Sequence, residues 1–514
     1  MTSTTAPVRR RHAVIVGAGI AGLATALRLA VGGMRVTVLE RHDHAGGKIR
    51  TLPSDAGPID AGPTVLTLRH VFDDLFACAG ARLDDHVSLV AQDVLARHHW
   101  PDGSRLDLFA DPDASADAIR SFAGARAADE FRAFGTRAAR LYSAFDNPIM
   151  QAPAPRLSQL VPHVLARPSL IPAMAPLSSL AAMLRRQFTD PRLAQLFGRY
   201  ATYVGGAPHL SPAILSLIWQ AEAAGVWVVE GGMHKLTDAI AALATAHGVA
   251  FQHGAHVNHI ELRGGRVAAV QLAAGTRIPA DEVVFAGDPR ALATGALGSG
   301  LRHVAPRTAT LPRSFSARVH SFAATPSGAD LIHHNVFFAA DPHSEFNDLA
   351  AGRIPADPTL YLCALDRGQG HAPKPLERFE IISNAPAPSD TQTPPELDQW
   401  HHQIMTRLTR FGLTLSPTPR PQDITTPQMF AQMFPATRGA LYGQTPHGMT
   451  ATFKRPTAAT PVPGLWLAGG GVHPGPGVPM ATLSARHAAE AILSAQISTS
   501  TSHRTAMRGG MSTA

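Results

Sequence analysis

The sequence predicts an α/β protein, a Rossmann-type dinucleotide-binding domain with an α+β domain interleaved into it. Three observations carry this expectation. A strand–turn–helix–strand unit with regularly spaced glycines opens the chain, helix-rich and strand-rich stretches then alternate, and a second strand–glycine turn–helix unit closes it. At 514 residues the chain is too long for one simple core, and 45% hydrophobic residues allow a large one.

Residues 1–11 read as a polar tail. Arg9, Arg10 and Arg11 precede an Ala-rich apolar stretch and so imitate a secretory signal. Four glycines by position 32 interrupt that stretch, and cleavage would remove a nucleotide-binding pattern, so the expectation is a cytoplasmic protein. The opening unit is strand Ala13–Val16, a helix to about Ala30 and strand Arg35–Glu40. Residues 96–108 predict a hairpin around Pro101-Asp102-Gly103, and 113–222 predict helices broken by prolines. A helix follows at Lys235–Ala246, then a hairpin whose turn is Gly264-Gly265. Further strands are expected within 313–385, a helix at 394–412, a strand at Leu465–Ala468 and a helix from Pro479 to Ser494.

The alternation divides the chain into cofactor-binding parts at 12–75, 226–300 and 456–495. A helical, substrate- or membrane-facing region takes 76–225, a second substrate part takes 301–455, and a Ser/Thr-rich tail at 496–514 is expected to be disordered.

Composition narrows the function classes. The 45 basic and 38 acidic residues leave a formal charge of +7, but only four of the basic residues are Lys and no dense basic run is interleaved with aromatics. Nucleic-acid binding is therefore not expected. Charged residues are only 16%, which suits a surface that partly meets protein or lipid. Two cysteines, Cys78 and Cys363, cannot build a disulfide framework or metal cluster and read as inert core thiols in a reducing compartment. His333 and His334 are adjacent on an expected strand and should point to opposite faces, and no His/Cys/carboxylate set has metal spacing. No metal is expected. Beyond the N-terminus no apolar run is long enough for a transmembrane helix.

Val14-Ile15-Val16-Gly17-Ala18-Gly19-Ile20-Ala21-Gly22 is G-x-G-x-x-G directly after a strand. Gly17 makes the tight turn, Gly19 admits a pyrophosphate to the backbone, and Gly22 lets the helix pack on the sheet. The helix N-terminus offers N–H groups to phosphate. Glu40, eighteen residues beyond Gly22, sits where a carboxylate takes ribose hydroxyls and repels a 2′-phosphate, which opposes NADP.

Gly46-Gly47-Lys48-Ile49-Arg50-Thr51 follows at once and resembles the second glycine motif of the FAD family of amine oxidases, protoporphyrinogen oxidases and carotenoid desaturases. The family's Gly-Gly-Arg is here Gly-Gly-Lys, which keeps the cation and loses the fork. Gly464–Met480 (GLWLAGGGVHPGPGVPM) resembles the C-terminal signature of bacterial-type phytoene desaturases, with Val472 where Thr or Ala is usual and Pro476 where a small residue is usual. Asp60–Val65 (DAGPTV), Gly225–His234 (GVWVVEGGMH) and Ala286–Asp288 resemble other family segments. Three stretches look more like hydroxycarotenoid 3,4-desaturases: Phe197–Gly206, Gly225–His234 and His333–Phe338.

The resemblance implies an amine-oxidase/GDI-like fold with FAD as cofactor. Its implied contacts are Gly17, Gly19, Ala21, Gly22, Glu40, Arg41, Gly46, Gly47, Lys48, Pro63, Thr64, Gly469, Gly470, Pro479 and Met480, with Val257 reaching the adenine through its backbone. The implied activity is formation of a C-3,4 double bond in an acyclic 1-hydroxycarotenoid by hydride transfer to flavin. Oxygen or a quinone would be the final electron acceptor. A phytoene desaturase, another FAD oxidoreductase of this fold, and a non-enzymatic GDI-like prenyl carrier stand as alternatives. Flavin carries the chemistry, and no side chain stands out as catalytic base. His473 is the best polar candidate near the ring, either chemically active or orienting backbone.

Carotenes dissolve in bilayers, so the resemblance also implies a cytoplasmic protein peripheral to the inner membrane. Residues 151–200 carry six Arg against one Asp among apolar stretches such as Pro168–Leu184. That composition suits a monotopic patch, and equally a buried helix with Arg at its rim.

Overall fold

A computed structural model describes residues 10–388 and 397–506. The β-branched run His12–Val16 forms a fully paired central strand between Arg35–Leu39 and Glu282–Phe285. Ala250–Gln252 and Leu465–Leu467 complete a five-stranded sheet, in the order Leu465–Leu467, Glu282–Phe285, His12–Val16, Arg35–Leu39, Ala250–Gln252. All four pairings are parallel. Such a sheet needs cover on both faces. The first helix, Ile20–Val31, lies between His234–Ala246 and the C-terminal helix Val478–Ala506, burying Leu23, Leu27 and Leu29. A three-stranded antiparallel layer, Val257–Arg263, Arg266–Leu272 and Arg277–Pro279, covers the other side with Ile260, Val267 and Val270.

The second sheet has eight strands. Its path runs Leu413–Ser416, Ser316–Gly328, Glu377–Ala385, Leu360–Ala364, His334–Phe337, Val94–His99, Arg105–Phe109, with Ile424–Thr425 beside Ser316–Gly328. Alternation assigns its two faces. Phe322, Phe337, Leu360, Leu362, Phe379 and Ile381 pack against Trp400, Ile404 and Leu408 of the helix Leu397–Arg410. The opposite face carries His334, Val336, Tyr361, Cys363 and Glu380, and turns toward the cofactor sheet and the helices of 112–223.

The hairpins at 94–109 and 257–272 form as the turn residues predict. Three expectations need correction. The C-terminal helix continues to Ala506, past both the expected end at Ser494 and the start of the expected disordered tail. Cys78 is only half-buried at a helix end, where its thiol donates to Leu75 O, while Cys363 is buried. His333 and His334 do not diverge. The strand begins at His334, so the alternation does not govern His333, and the two rings meet edge to face at 4.5 Å. The Nε2 of His333 lies 3.3 Å from Cys363 Sγ. Residues 1–9 of the tail expected at 1–11, the start of the 394–412 helix and the last residues 507–514 lie outside the described residues.

Candidate active site

The cradle is built where strand ends meet glycine. Gly17 has φ of +105°, and a Cβ on Gly22 would come within 1.9 Å of Gly17 O, so neither position admits a side chain. Gly19 caps the first helix without a side-chain bond, leaving the cap free of competing donors and acceptors. The second glycine motif lies directly on the first: Gly46 N–H donates to Ala18 O at 2.9 Å, and a Cβ on Gly47 would meet Gly19 Cα at 3.0 Å. Glu40 is buried, and its carboxylate accepts from Ala18 N–H at 2.7 Å and His42 N–H at 2.9 Å. Arg41 follows on the exposed side. Ala255 N–H donates to Glu40 O, which brings the start of the Val257 strand alongside the same residue.

Segment 60–66 links this cradle to the rest of the site. Gly62 is pressed so closely on Lys48 that a Cβ would lie 2.0 Å from Lys48 O. The Asp60 carboxylate accepts from Met233 N–H at 2.6 Å and faces His234 Nδ1 at 3.1 Å, and Trp227 N–H donates to Leu66 O. Two motifs far apart in sequence thus lock together, with Asp60 capping the helix His234–Ala246. Pro63 is half-buried beside Thr64, and Leu68 packs with Met480 at the start of the C-terminal helix.

The C-terminal turn forms the other wall. Gly469 N–H donates to Ser484 Oγ at 3.2 Å, and Gly470 O accepts from Arg455. Pro479 lies in the first turn of the closing helix. Its N-terminus favours negative charge at the turn. Close glycine packing continues at Gly443, whose Cβ would reach Gly471 Cα at 3.2 Å. His473 donates between Ile149 O at 2.9 Å and Ala152 O at 3.0 Å, which is the backbone-orienting role. Burial holds its pKa below the ordinary value.

Beneath this wall Lys48 of the second glycine motif is joined by two arginines that no motif announces. Lys48 Nζ donates to Leu441 O, and burial pulls its pKa down to about 8, with Asp288 opposing and Arg313 reinforcing the shift. Arg313 pairs with Asp288. Arg455 donates to the carbonyls of Tyr442, Gln444 and Gly470, and burial lowers it to about 10. Three cations, Arg455 buried and Lys48 and Arg313 half-buried, are set against one carboxylate and suit an anionic diphosphate or a ring that takes up negative charge. The motifs therefore mark the glycines, and the arginines come from stretches with no local pattern.

Val65, Tyr203, Leu215, Ile218 and Tyr361 are half-buried and pack against the core shared by the helical region and the large sheet. Tyr361 OH lies 2.7 Å from Thr64 Oγ1 and 2.7 Å from His334 Nδ1. Tyr203 OH joins Glu222 at 2.8 Å and Arg199 at 2.8 Å, and Tyr200 OH donates to Glu222 at 2.9 Å. Farther along the same sheet face a cavity of about 620 Å³ is lined by Trp100, Phe188, Arg199, Phe338, Glu345 and Phe346. The site thus combines a glycine cradle for a dinucleotide with a largely apolar chamber on the large sheet.

These features define a flavin-dependent oxidoreductase, and the chain belongs to the flavin containing amine oxidoreductase family, which it matches over residues 20–493. FAD is its cofactor. Within that family the chain is 54% identical over 480 residues to a hydroxyneurosporene desaturase of Cereibacter sphaeroides, covering 93% of this chain and 97% of the other. It is 49% identical over 486 residues to a hydroxyneurosporene desaturase of Rhodobacter capsulatus, covering 94% and 98%. An oxidoreductase of Methanosarcina mazei shares the fold with a TM-score of 0.63 at 16% identity, over 93% of this chain and all of the other.

Proposed function

We propose that the protein introduces a C-3,4 double bond into acyclic 1-hydroxycarotenoids by hydride transfer to flavin. The observation that carries this reading is its 54% identity, over nearly the whole of both chains, to a protein named hydroxyneurosporene desaturase. The site agrees with it. Desaturation removes a hydride and a proton from adjacent carbons, and FAD, seated in the glycine cradle with Glu40 and Lys48, supplies the two-electron acceptor. The chain's own part is to seat a long apolar substrate against the turn at 469–471 and to exclude water there. Pro479 and Met480 open the helix whose positive end favours negative charge at that turn.

Substrate reaches this chamber from a bilayer. The helix Leu157–Leu165 has no buried residue, and Leu157, Val161 and Leu165 expose 47%, 54% and 64% of their surface along one stripe, with Ile171 and Leu177 beyond it. Arg156 and Arg167 flank the stripe. This arrangement supports peripheral docking on an anionic leaflet, in the cytoplasm at the inner membrane. The electron acceptor is a quinone or oxygen. Intact Gly17, Gly19, Gly22 and Glu40 argue against a flavin-free prenyl carrier.

The test is incubation of the FAD-loaded protein and liposomes with 1-hydroxyneurosporene, neurosporene or phytoene, followed by chromatography and absorption spectra. A red-shifted product from the hydroxylated substrate is expected. Turnover of phytoene alone would replace the reading with phytoene desaturation, and protein purified without flavin and unable to bind it would favour the carrier.

A further inference from the structure

The reaction proposed above places an unusual demand on the wall of the chamber. The substrate is a hydrocarbon except for one tertiary hydroxyl on C1, and only C2 separates that carbon from C3 of the bond to be oxidised. A group that reads the hydroxyl must therefore stand beside the reacting carbons, within the first layer of side chains around them. A buried polar group there has a cost unless something completes its hydrogen bonds.

Two hydrogen-bonded polar sets lie between the large sheet and the helices packed on it. In the first, Tyr203 OH is engaged on both sides, by Glu222 and by Arg199, so its bonding is largely complete within the protein. The second is the chain Thr64–Tyr361–His334, with both links at 2.7 Å. Thr64 lies on the segment that leads from Gly62, pressed on Lys48, to Leu68, packed on Met480. That segment spans the gap between the two walls of the cofactor site. Tyr361 is half-buried, and packs against the same core as Val65, Tyr203, Leu215 and Ile218, on the sheet face turned away from Trp400.

We propose that Thr64, Tyr361 and His334 form the element that recognises the substrate's tertiary hydroxyl and so decides between 1-hydroxylated and non-hydroxylated acyclic carotenoids. The assignment rests on the desaturase reading of the site. A threonine hydroxyl has one donor and two acceptor positions, and the bond to Tyr361 uses one of them. Whether the phenol proton points to His334 or to Thr64, a substrate hydroxyl, both donor and acceptor, fits the remaining capacity. A hydrocarbon fits neither arrangement. Burial keeps the Tyr361 phenol well above its ordinary pKa and His334 well below its own, so the chain is neutral and sets no charge against an apolar substrate. His334 Nε2 has no hydrogen-bond partner among the described residues, which leaves its ring free to present either tautomer at Nδ1. Contrary to the sequence expectation of no His/Cys set with ligand spacing, ligand atoms of His333, His334 and Cys363 lie within 4.8 Å of one another, and His333 there bonds to Arg367 O and Cys363.

The experiment compares kcat/KM for 1-hydroxyneurosporene and neurosporene in the FAD-loaded wild type and in Tyr361→Phe, with flavin absorbance reporting an intact fold. A site built to bond a hydroxyl discriminates strongly against its absence, so removing one member is expected to lower the hydroxylated-to-apolar ratio roughly 10- to 100-fold. Should Tyr361→Phe fail to retain flavin, Thr64→Val reads out the same ratio. A wild type that converts the hydroxylated substrate without preference, or a variant whose two values fall together, overturns the hydroxyl assignment and leaves the 1-hydroxycarotenoid reading standing. A wild type that converts only the non-hydroxylated chain overturns that reading, and the assignment with it.

Discussion

Lys48 shows how one half-buried cation couples cofactor binding to pH. It occupies the position where a Gly-Gly-Arg sequence would carry a guanidinium, and its ammonium is held by a carbonyl among Phe434, Asp288 and Arg313. Burial brings its pKa to about 8, below the ordinary 10.5. The charged form is the one that attracts a diphosphate, so FAD affinity should be flat below pH 8 and weaken as pH rises above it, by up to roughly tenfold for each step of one in pH. For the FAD-free protein the sign is opposite: charge is disfavoured in the fold, so stability rises as pH passes from about 8 toward 10.5. Lys48→Met should remove the pH dependence and weaken binding at pH 7 by about 1.5–3 kcal/mol, the range for a hydrogen bond to a charged group. Titration calorimetry of FAD into the stripped protein across pH 7 to 10 measures both effects. At this scale the glycines were legible in sequence because each answers to a neighbour a few residues away. Arg455, Arg313 and Tyr361 were not, because nothing near them in sequence hints at what they meet.

Among the elements, the helix Leu157–Leu165 separates two readings that composition left level. Residues 157–184 are mostly apolar with Arg167 as the one charged side chain, yet they divide on folding. Leu180, Met183 and Leu184 enter the core beside Phe188 and Phe197, whereas Leu157, Val161, Leu165, Ile171 and Leu177 stay outside. Leu160 and Val164, on the inward side of the same helix, rest on Leu141 and Phe145. An apolar residue with no protein partner contributes nothing to the fold, so Val161→Asp with Leu165→Asp should move unfolding by no more than ~0.5 kcal/mol per site. The same change should lower co-sedimentation with anionic liposomes at least tenfold, since each buried Leu or Val is worth about 1.5–3 kcal/mol. Unchanged partitioning would count against the proposed membrane docking through this helix. The histidine pair carries a related lesson: strand alternation holds only inside the strand, and His333 stands just before it.

Over the whole molecule, the interleaving sets how stability responds to pH. The helix Pro342–Ala350 is carried to the far end of the large sheet, where the Glu345 carboxyl is buried and accepts from Thr359 N–H at 3.0 Å and Thr359 Oγ1 at 2.7 Å. Burial raises its pKa from 4.5 to about 7. A carboxyl whose pKa is raised on folding stabilises most below its unfolded value and loses that contribution as pH climbs through the folded one. Relative to Glu345→Gln, the wild type should lose roughly 3 kcal/mol between pH 4.5 and 7, because each tenfold difference in proton affinity between the folded and unfolded chain is worth about 1.4 kcal/mol. Denaturant unfolding of both proteins across that range checks it, and parallel curves would mean that Glu345 is solvated or paired in solution.

The sequence by itself determined the opening strand–helix–strand unit, the closing strand–turn–helix unit and the glycine turns of the cradle. Those features rest on turns, caps and alternation that act within about 30 residues, as in a βαβ unit. Only the tertiary structure decided which cations gather under the cradle, which apolar residues face outward, and which polar chain lies between the large sheet and the helices packed on it. Thr64 and Tyr361 are 297 residues apart and meet at 2.7 Å only because Leu360–Ala364 is seated in the large sheet opposite the segment that leaves the cofactor cradle. Such contacts are set by packing between distant layers, and no local pattern of residues encodes them.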